Sequence, residues 1–388
     1  MTIHDKVLNT VSLEFSAIAR AMSVNSSEMI SLGLGEPGFP TPPAIIEAAH
    51  QSMLKGETRY SSPWGIPELI EKIAKRIHQS SGIKPQQNEV IVTYGAKQAL
   101  SLVLTSLLEP EDEVIVLSPC YVSFIPQVYM AEPQATLIEF TLSKDNFSID
   151  FDKLKSTFNS KTKAIILNYP NNPTGIIPNE SEIKRLIDLC KEHNVHVISD
   201  EIYSSMVLAD NSFKSLASYR NEYENIYVID GFSKAYSMTG WRIGYLFAPK
   251  ALTTRVSKLQ QHLNTNIPVF IQRAAIAALN LDDKVLNDYI IQLNTNEECL
   301  FKMTKKVDSF HYNRSKGGMF SFINISKINM GSDEFCSTLL NIKKVACTPG
   351  IIFGASWDDH IRISLGGDIK EFAVAMQKIA EFVEDVSE

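Results

Sequence analysis

Lys234 follows the apolar run Ile226-Tyr227-Val228-Ile229 within GFSKAYSMTGWRIGY, and Arg242 stands eight residues beyond it. The run reads as a buried strand, so a lysine at its end must carry its ammonium out of the core or lose the charge. A lysine that condenses with an aldehyde becomes a neutral or delocalised imine, and Schiff-base chemistry needs this side chain. Two polar clusters stand upstream, Asn172-Pro173-Thr174-Gly175 and Asp200-Glu201-Ile202-Tyr203. Lysine alone says little, since most lysines are solvated; the order of the three clusters carries the signal.

From about Thr41 the chain alternates helical patterns, 97–108 and 180–193 among them, with short apolar runs. The runs predict strands at 90–93, 114–117, 135–140, 164–167, 195–199, 227–230 and 244–247. Such alternation means crossover units and a largely parallel sheet covered on both faces, an α/β architecture. After about Thr253 the pattern changes to long helices, 285–307 foremost, then a β-rich stretch (320–325, 345–347, 360–365) and a last helix from about Ile369. That change predicts a large domain over 46–280 and a smaller α+β domain over 281–388, with 1–45 an arm that completes the smaller one.

Ligands of open parallel sheets bind beyond the carboxyl ends of the strands, where the clusters fall. Thr93-Tyr94-Gly95-Ala96-Lys97-Gln98 leaves a strand and opens a helix, so its backbone N–H groups form an anion cradle or a plain tight turn. Asn168 to Gly175, NYPNNPTG, is a rigid turn with Asn172 at its tip, able to donate an amide hydrogen bond to a ligand oxygen. Asp200 and Glu201 end a strand, where acidic residues serve as helix caps. An aspartate at that depth also fits the protonated ring nitrogen of a pyridine cofactor, with Tyr203 in reach of the ring's phenolic oxygen. Arg242, beside Trp241, fits a phosphate. Arg362 alternates with Ile361 and Ile363 in HIRISLGG, which makes it an edge residue or a bidentate carboxylate clamp.

The 388 residues are 44% hydrophobic and 21% charged, values of an ordinary globular protein. A net charge of −7 without a Lys/Arg-rich run argues against nucleic acid as partner. The five cysteines are scattered, with no C-x-x-C pair or metal-ligand spacing, which predicts reduced thiols, no metal site and a cytoplasmic protein. No apolar stretch reaches the length of a membrane span, and MTIHDKVLNTVSLEF lacks the apolar core of a secretory signal.

In this order, GLGEPGFPTP, TRYSSPWGIPELIEKIA, VIVTYGAKQAL, DEVIVLSPCYVSF, NYPNNPTG, SDEIYSSM, GFSKAYSMTGWRIGY and IRISLGG resemble the motifs of the fold-type I, pyridoxal-phosphate-dependent aminotransferases of the class I/II (aspartate/aromatic) superfamily. The resemblance runs from about Thr10 to the last helix. It implies a mostly parallel seven-stranded sheet sandwiched by helices, and pyridoxal 5′-phosphate as cofactor. It further implies that Lys234 forms the Schiff base and then moves protons, that Asp200 pairs with the pyridinium nitrogen, and that Asn172 and Tyr203 bond the phenolic oxygen. The resemblance also implies that Tyr121 stacks on the ring. It implies that backbone amides of Gly95, Ala96 and Lys97, with Arg242, hold the phosphate, and that Tyr60 reaches it from the partner of a homodimer. It implies, too, that Arg362 clamps the substrate α-carboxylate, helped by Asn172 and the backbone at Gly35.

The resemblance implies transfer of an amino group between an L-amino acid and a 2-oxo acid such as 2-oxoglutarate. Lys97 and Thr10 match residues that read a distal carboxylate in one subgroup, favouring aspartate or glutamate; Gly317-Gly318-Met319-Phe320 and Tyr121 match broader relatives. The same lysine, aspartate and arginine also serve lyases, cyclases and amino-acid oxidases, while a ligand-sensing regulator domain would call for loss of the lysine or the arginine. Departures from the pattern are Gly231, where many relatives carry a phosphate-binding hydroxyl, Gly38 in place of a frequent Asp, the bulky Trp64, and Leu365-Gly366-Gly367.

Overall fold

The computed structural model describes residues 29–387; Thr10 lies outside them. After strand β1 (Ile30–Ser31), helices α1 (Pro43–Leu54) and α2 (Pro67–Ser81) each open on a proline, which loses nothing where no intrahelical N–H bond exists. Then β2 (Val90–Thr93), α3 (Gly95–Leu107), β3 (Glu113–Ser118), α4 (Phe124–Ala131), β4 (Thr136–Thr141), α5 (Phe151–Thr157), β5 (Thr162–Asn168), α6 (Glu180–Glu192) and β6 (His196–Asp200) alternate. A capping box between Asn179 and Glu182 starts α6. Strands β7 (Ile226–Gly231) and β8 (Gly244–Phe247) complete one sheet, in order β2-β8-β7-β6-β5-β3-β4. Only β8 runs against its neighbours; the other pairings are parallel. All seven predicted strands form, with ends shifted by at most two residues.

The apolar runs are continuous because both faces are buried. On β3, Ile115 and Leu117 join the core under α1, α2 and α6, while Val114 and Val116 join the core under α3 and α4. Helices α7 (Lys250–Leu263), α8 (Val269–Ala278) and the 22-residue α9 (Asp283–Thr304) follow. Beyond them β9 (His311–Tyr312), β10 (Phe320–Asn324), α10 (Ser332–Lys343), β11 (Val345–Ala346), β12 (Thr348–Pro349), β13 (His360–Ser364) and α11 (Ile369–Ser387) build around a separate core containing Leu293, Phe335, Ile363 and Phe372. The strand predicted at 345–347 is split: β11 pairs with β1 and β12 pairs with β13, with Cys347 between them. The second sheet runs β12-β13-β10-β9. Arg362 therefore sits on an inner strand, opposite Phe322 and Thr348, and is not an edge residue.

Parallel pairing brings the ends of β2, β5, β6 and β7 to one side of the large sheet, with Asn168 beside Asp200 and Thr93 and Gly231 both paired to Gly244. The four sequence clusters leave the sheet here.

Candidate active site

A cavity of about 280 Å³ opens at these strand ends. Gly35, Ala96, Lys97, Tyr121, Asn172, Asp200, Tyr203, Lys234, Arg242 and Arg362 all line it. Tyr60 does not; its side chain is 87% exposed on the surface.

At one end, α3 starts at Gly95 with φ +75°, a backbone that glycine adopts without strain. A Cβ there would stand 2.9 Å from Arg242 Nη2, so the missing side chain leaves room between guanidinium and helix N-terminus. Arg242 itself holds the left-handed conformation, φ 54°, and its Nη1 donates to the Thr239 carbonyl at 2.7 Å. Two positive ends, a guanidinium and a helix N-terminus, thus converge on one small space, the requirement for a phosphate.

At mid-cavity, Lys234 Nζ donates to the Gly35 carbonyl at 2.5 Å. Burial, and then the nearby Arg362 charge, lower its ammonium to about 8. Burial pushes the Asp200 carboxyl up to about 7, opposed by the Ile202 N–H that it accepts at 3.2 Å. No helix follows β6 directly, so Asp200 caps a turn and not a helix. Glu201 points the other way, accepting from Ser199 Oγ and the Leu216 N–H, and burial raises it to about 8.

The far end is built on Arg362. Its Nη1 donates to Asn172 Oδ1 at 3.0 Å, and its Nη2 to the Gly33 carbonyl at 2.7 Å and to Thr348 Oγ1 at 3.2 Å. The Phe320 ring lies 4.1 Å from the guanidinium carbon. Asn172 is fixed in turn, its N–H donating to Asn168 Oδ1 at 2.9 Å while Asn168 Nδ2 donates to the Asp200 carbonyl at 2.9 Å. Lys97 is exposed at the mouth, 5.5 Å from the Tyr121 ring centroid.

Asn168, Thr348 and Phe320 carry this geometry without having been singled out from sequence as functional. Asn168 stood inside NYPNNPTG, and Phe320 stood inside the Gly317-Gly318-Met319-Phe320 run, which was read for substrate range and not for the aromatic wall. Of the departures, Gly38 is explained by packing, since a Cβ on it would collide with the Gly366 carbonyl, and a Cβ on Gly366 would stand 2.8 Å from Met319 Cε. Trp64 packs on the core beneath α3 and does not line the cavity.

An amine, a buried carboxyl, an aromatic face and a phosphate cradle around one cavity fit pyridoxal phosphate. The chain matches the family model described as aminotransferase class I and II over residues 27–379. It is 37% identical over 371 residues to the aspartate aminotransferase of Thermotoga maritima, covering 96% of each chain. It is 32% identical over 381 residues to the aspartate aminotransferase of Bacillus subtilis, covering 97% of this chain and 96% of that one. The crystal structure of an aromatic aminotransferase from Pyrococcus horikoshii superposes with a TM-score of 0.88 at 31% identity, covering 95% of this chain and 99% of that one.

Proposed function

Since the chain belongs to the class I and II aminotransferases, we propose that its amino donors are L-dicarboxylic acids, aspartate and glutamate, with 2-oxoglutarate among its acceptors. The protein is an enzyme, a fold-type I aminotransferase that uses pyridoxal 5′-phosphate. The cofactor supplies an aldehyde that takes up the amino group and a protonated pyridine ring that draws electrons from the substrate Cα.

The chain's own groups orient and shuttle protons. Lys234, with its ammonium lowered to about 8, offers a neutral Nζ that takes the Cα proton and returns it. Asp200 keeps the ring nitrogen protonated, while Asn172 and Tyr203 hold the phenolic oxygen and Tyr121 covers the ring face. Gly95, Ala96 and Lys97 amides and Arg242 hold the phosphate. Arg362 takes the α-carboxylate in two parallel hydrogen bonds, with Asn172 and Gly35 beside it.

The carrying observation is that buried Arg362 and exposed Lys97 line one cavity, which offers a cation to each carboxylate of a dicarboxylic donor. The names of the Thermotoga and Bacillus relatives agree with this; the name of the Pyrococcus neighbour favours the aromatic range. Thr10 belongs to the same reading, outside the described residues. The reading also divides the chain at 1–45, 46–280 and 281–388 and makes it a cytoplasmic homodimer. The segment 60–64 is tied to the end of α7 by Gln260 Nε2 to the Pro63 carbonyl, 2.6 Å, and leaves Tyr60 and Leu263 87% and 68% exposed for a second copy.

The test is a half-reaction series in which the holoenzyme meets L-aspartate, L-glutamate, L-phenylalanine, L-alanine or L-arginine. Conversion of the cofactor to its amine form should be fastest with aspartate and glutamate. A faster response to phenylalanine or alanine would overturn the dicarboxylate reading.

A further inference from the structure

Cys336 and Cys347 face each other with their sulfur atoms 3.2 Å apart. Both are buried, 7% and 8% exposed. Cys336 lies on the inner face of α10 beside Leu339 and Leu340, and α10 ends at Lys344 in the left-handed conformation, which turns the chain straight into β11. The helix and the strand segment after it fold back on each other, so the contact is made within one local unit. A disulfide needs sulfur atoms about 2.05 Å apart, so the pair must close by about 1.2 Å.

Cys347 also adjoins the carboxylate clamp. The next residue, Thr348, accepts from Arg362 Nη2 at 3.2 Å and donates to the Gly33 carbonyl at 3.1 Å. Cys347 is thus one peptide bond from a residue that holds Arg362 on its β12 side. We propose that Cys336 and Cys347 form a reversible oxidation site for a hydroperoxide, and that closing the disulfide loosens the Arg362 clamp. The coupling to substrate rests on reading Arg362 as that clamp; the disulfide itself does not.

The reaction balances with the peroxide as oxidant. Both S–H bonds break and one S–S bond forms, while the O–O bond of the peroxide takes the two electrons and both protons and leaves as two waters when the oxidant is hydrogen peroxide. Burial raises the Cys120, Cys190 and Cys299 thiols alike, and Cys299, partly exposed, is the competing thiol to remove first.

The experiment treats the Cys299→Ser holoenzyme with hydrogen peroxide and reads free thiols, cross-linked peptides and steady-state kinetics. Replacing Cys299 leaves four of the five thiols, and two of these should disappear into a peptide linking 336 and 347 that separates on reduction. KM for the amino donor should rise about fivefold with kcat little changed, and a dithiol should restore it. Adding Cys336→Ser, or separately Cys347→Ser, should abolish both effects. An unchanged thiol count, or a cross-link elsewhere, would overturn the site. A 336–347 cross-link with unchanged KM would overturn the coupling, and Arg362→Lys in the same assay shows whether the clamp reading has failed instead.

Discussion

Arg362 Nη1 donates to Asn172 Oδ1 at 3.0 Å, joining an inner strand of the small sheet to the turn that follows β5 of the large one. The bond spans 190 residues of sequence, and each partner is buried. The guanidinium is thus held by three oxygens and the Phe320 ring before any substrate arrives, which removes the ordering cost of its long side chain on binding.

Arg362→Lys keeps the charge and loses the fork. We expect kcat/KM for aspartate to fall by about 3 kcal/mol, roughly two orders of magnitude, with most of the loss in KM. Asn172→Ala should lower it less, because the Gly33 and Thr348 contacts remain. Steady-state kinetics of the two variants check the order.

Cofactor capture should depend on pH with a definite sign. Burial disfavours the Lys234 ammonium, so its proton leaves near pH 8 and not near the ordinary 10.5. Asp200, raised to about 7, becomes the anion that pairs with a pyridinium only above that pH. The rate at which apoprotein captures pyridoxal phosphate should therefore rise from pH 6, reach half its plateau near 8 and level off about a unit higher. A rise that continues toward 10.5 would contradict the lowered lysine. Stopped-flow absorbance at a series of pH values gives the profile.

Lys97 separates dicarboxylic donors from the rest. Lys97→Ala should lower kcat/KM for aspartate and glutamate by about tenfold, 1.4 kcal/mol, and leave alanine within about twofold. Equal losses for all three would place Lys97 in phosphate binding alone. Donor competition assays on the purified variant decide it.

Gly231 is paired with Gly244 across β7 and β8, and a Cβ on it would stand 3.0 Å from Gly244 Cα and 3.1 Å from the Ile243 carbonyl. A side chain at this position meets backbone on one side and Ile202 on the other, so β7 or β8 must shift to admit it. Gly231→Ser should lower the unfolding free energy by about 1–3 kcal/mol and leave phosphate affinity no better. Urea unfolding and a cofactor titration read the two effects.

Much of this was legible in the sequence because function fixed residue types at strand ends. The runs around Ile166, Ile198 and Val228 name buried strands by composition alone, and the clusters after them had to share one side of the sheet. The Arg362 environment was not legible to the same degree. Its partners Gly33, Thr348 and Phe320 come from three separate segments, and only packing brings them together. Helix capping misread Asp200 because the chain turns after β6, and edge placement misread one option for Arg362 because β12 is only two residues long and carries no periodicity. Gly38, odd on its own, became intelligible only from its contact with the Gly366 carbonyl.

The central claim is that Lys234 carries the cofactor. Holoenzyme reduced with borohydride and digested should yield one pyridoxyl-modified peptide, with the added mass on Lys234, and Lys234→Ala should yield none and turn over no substrate. The mass found on another lysine, or turnover retained by Lys234→Ala, would contradict the account.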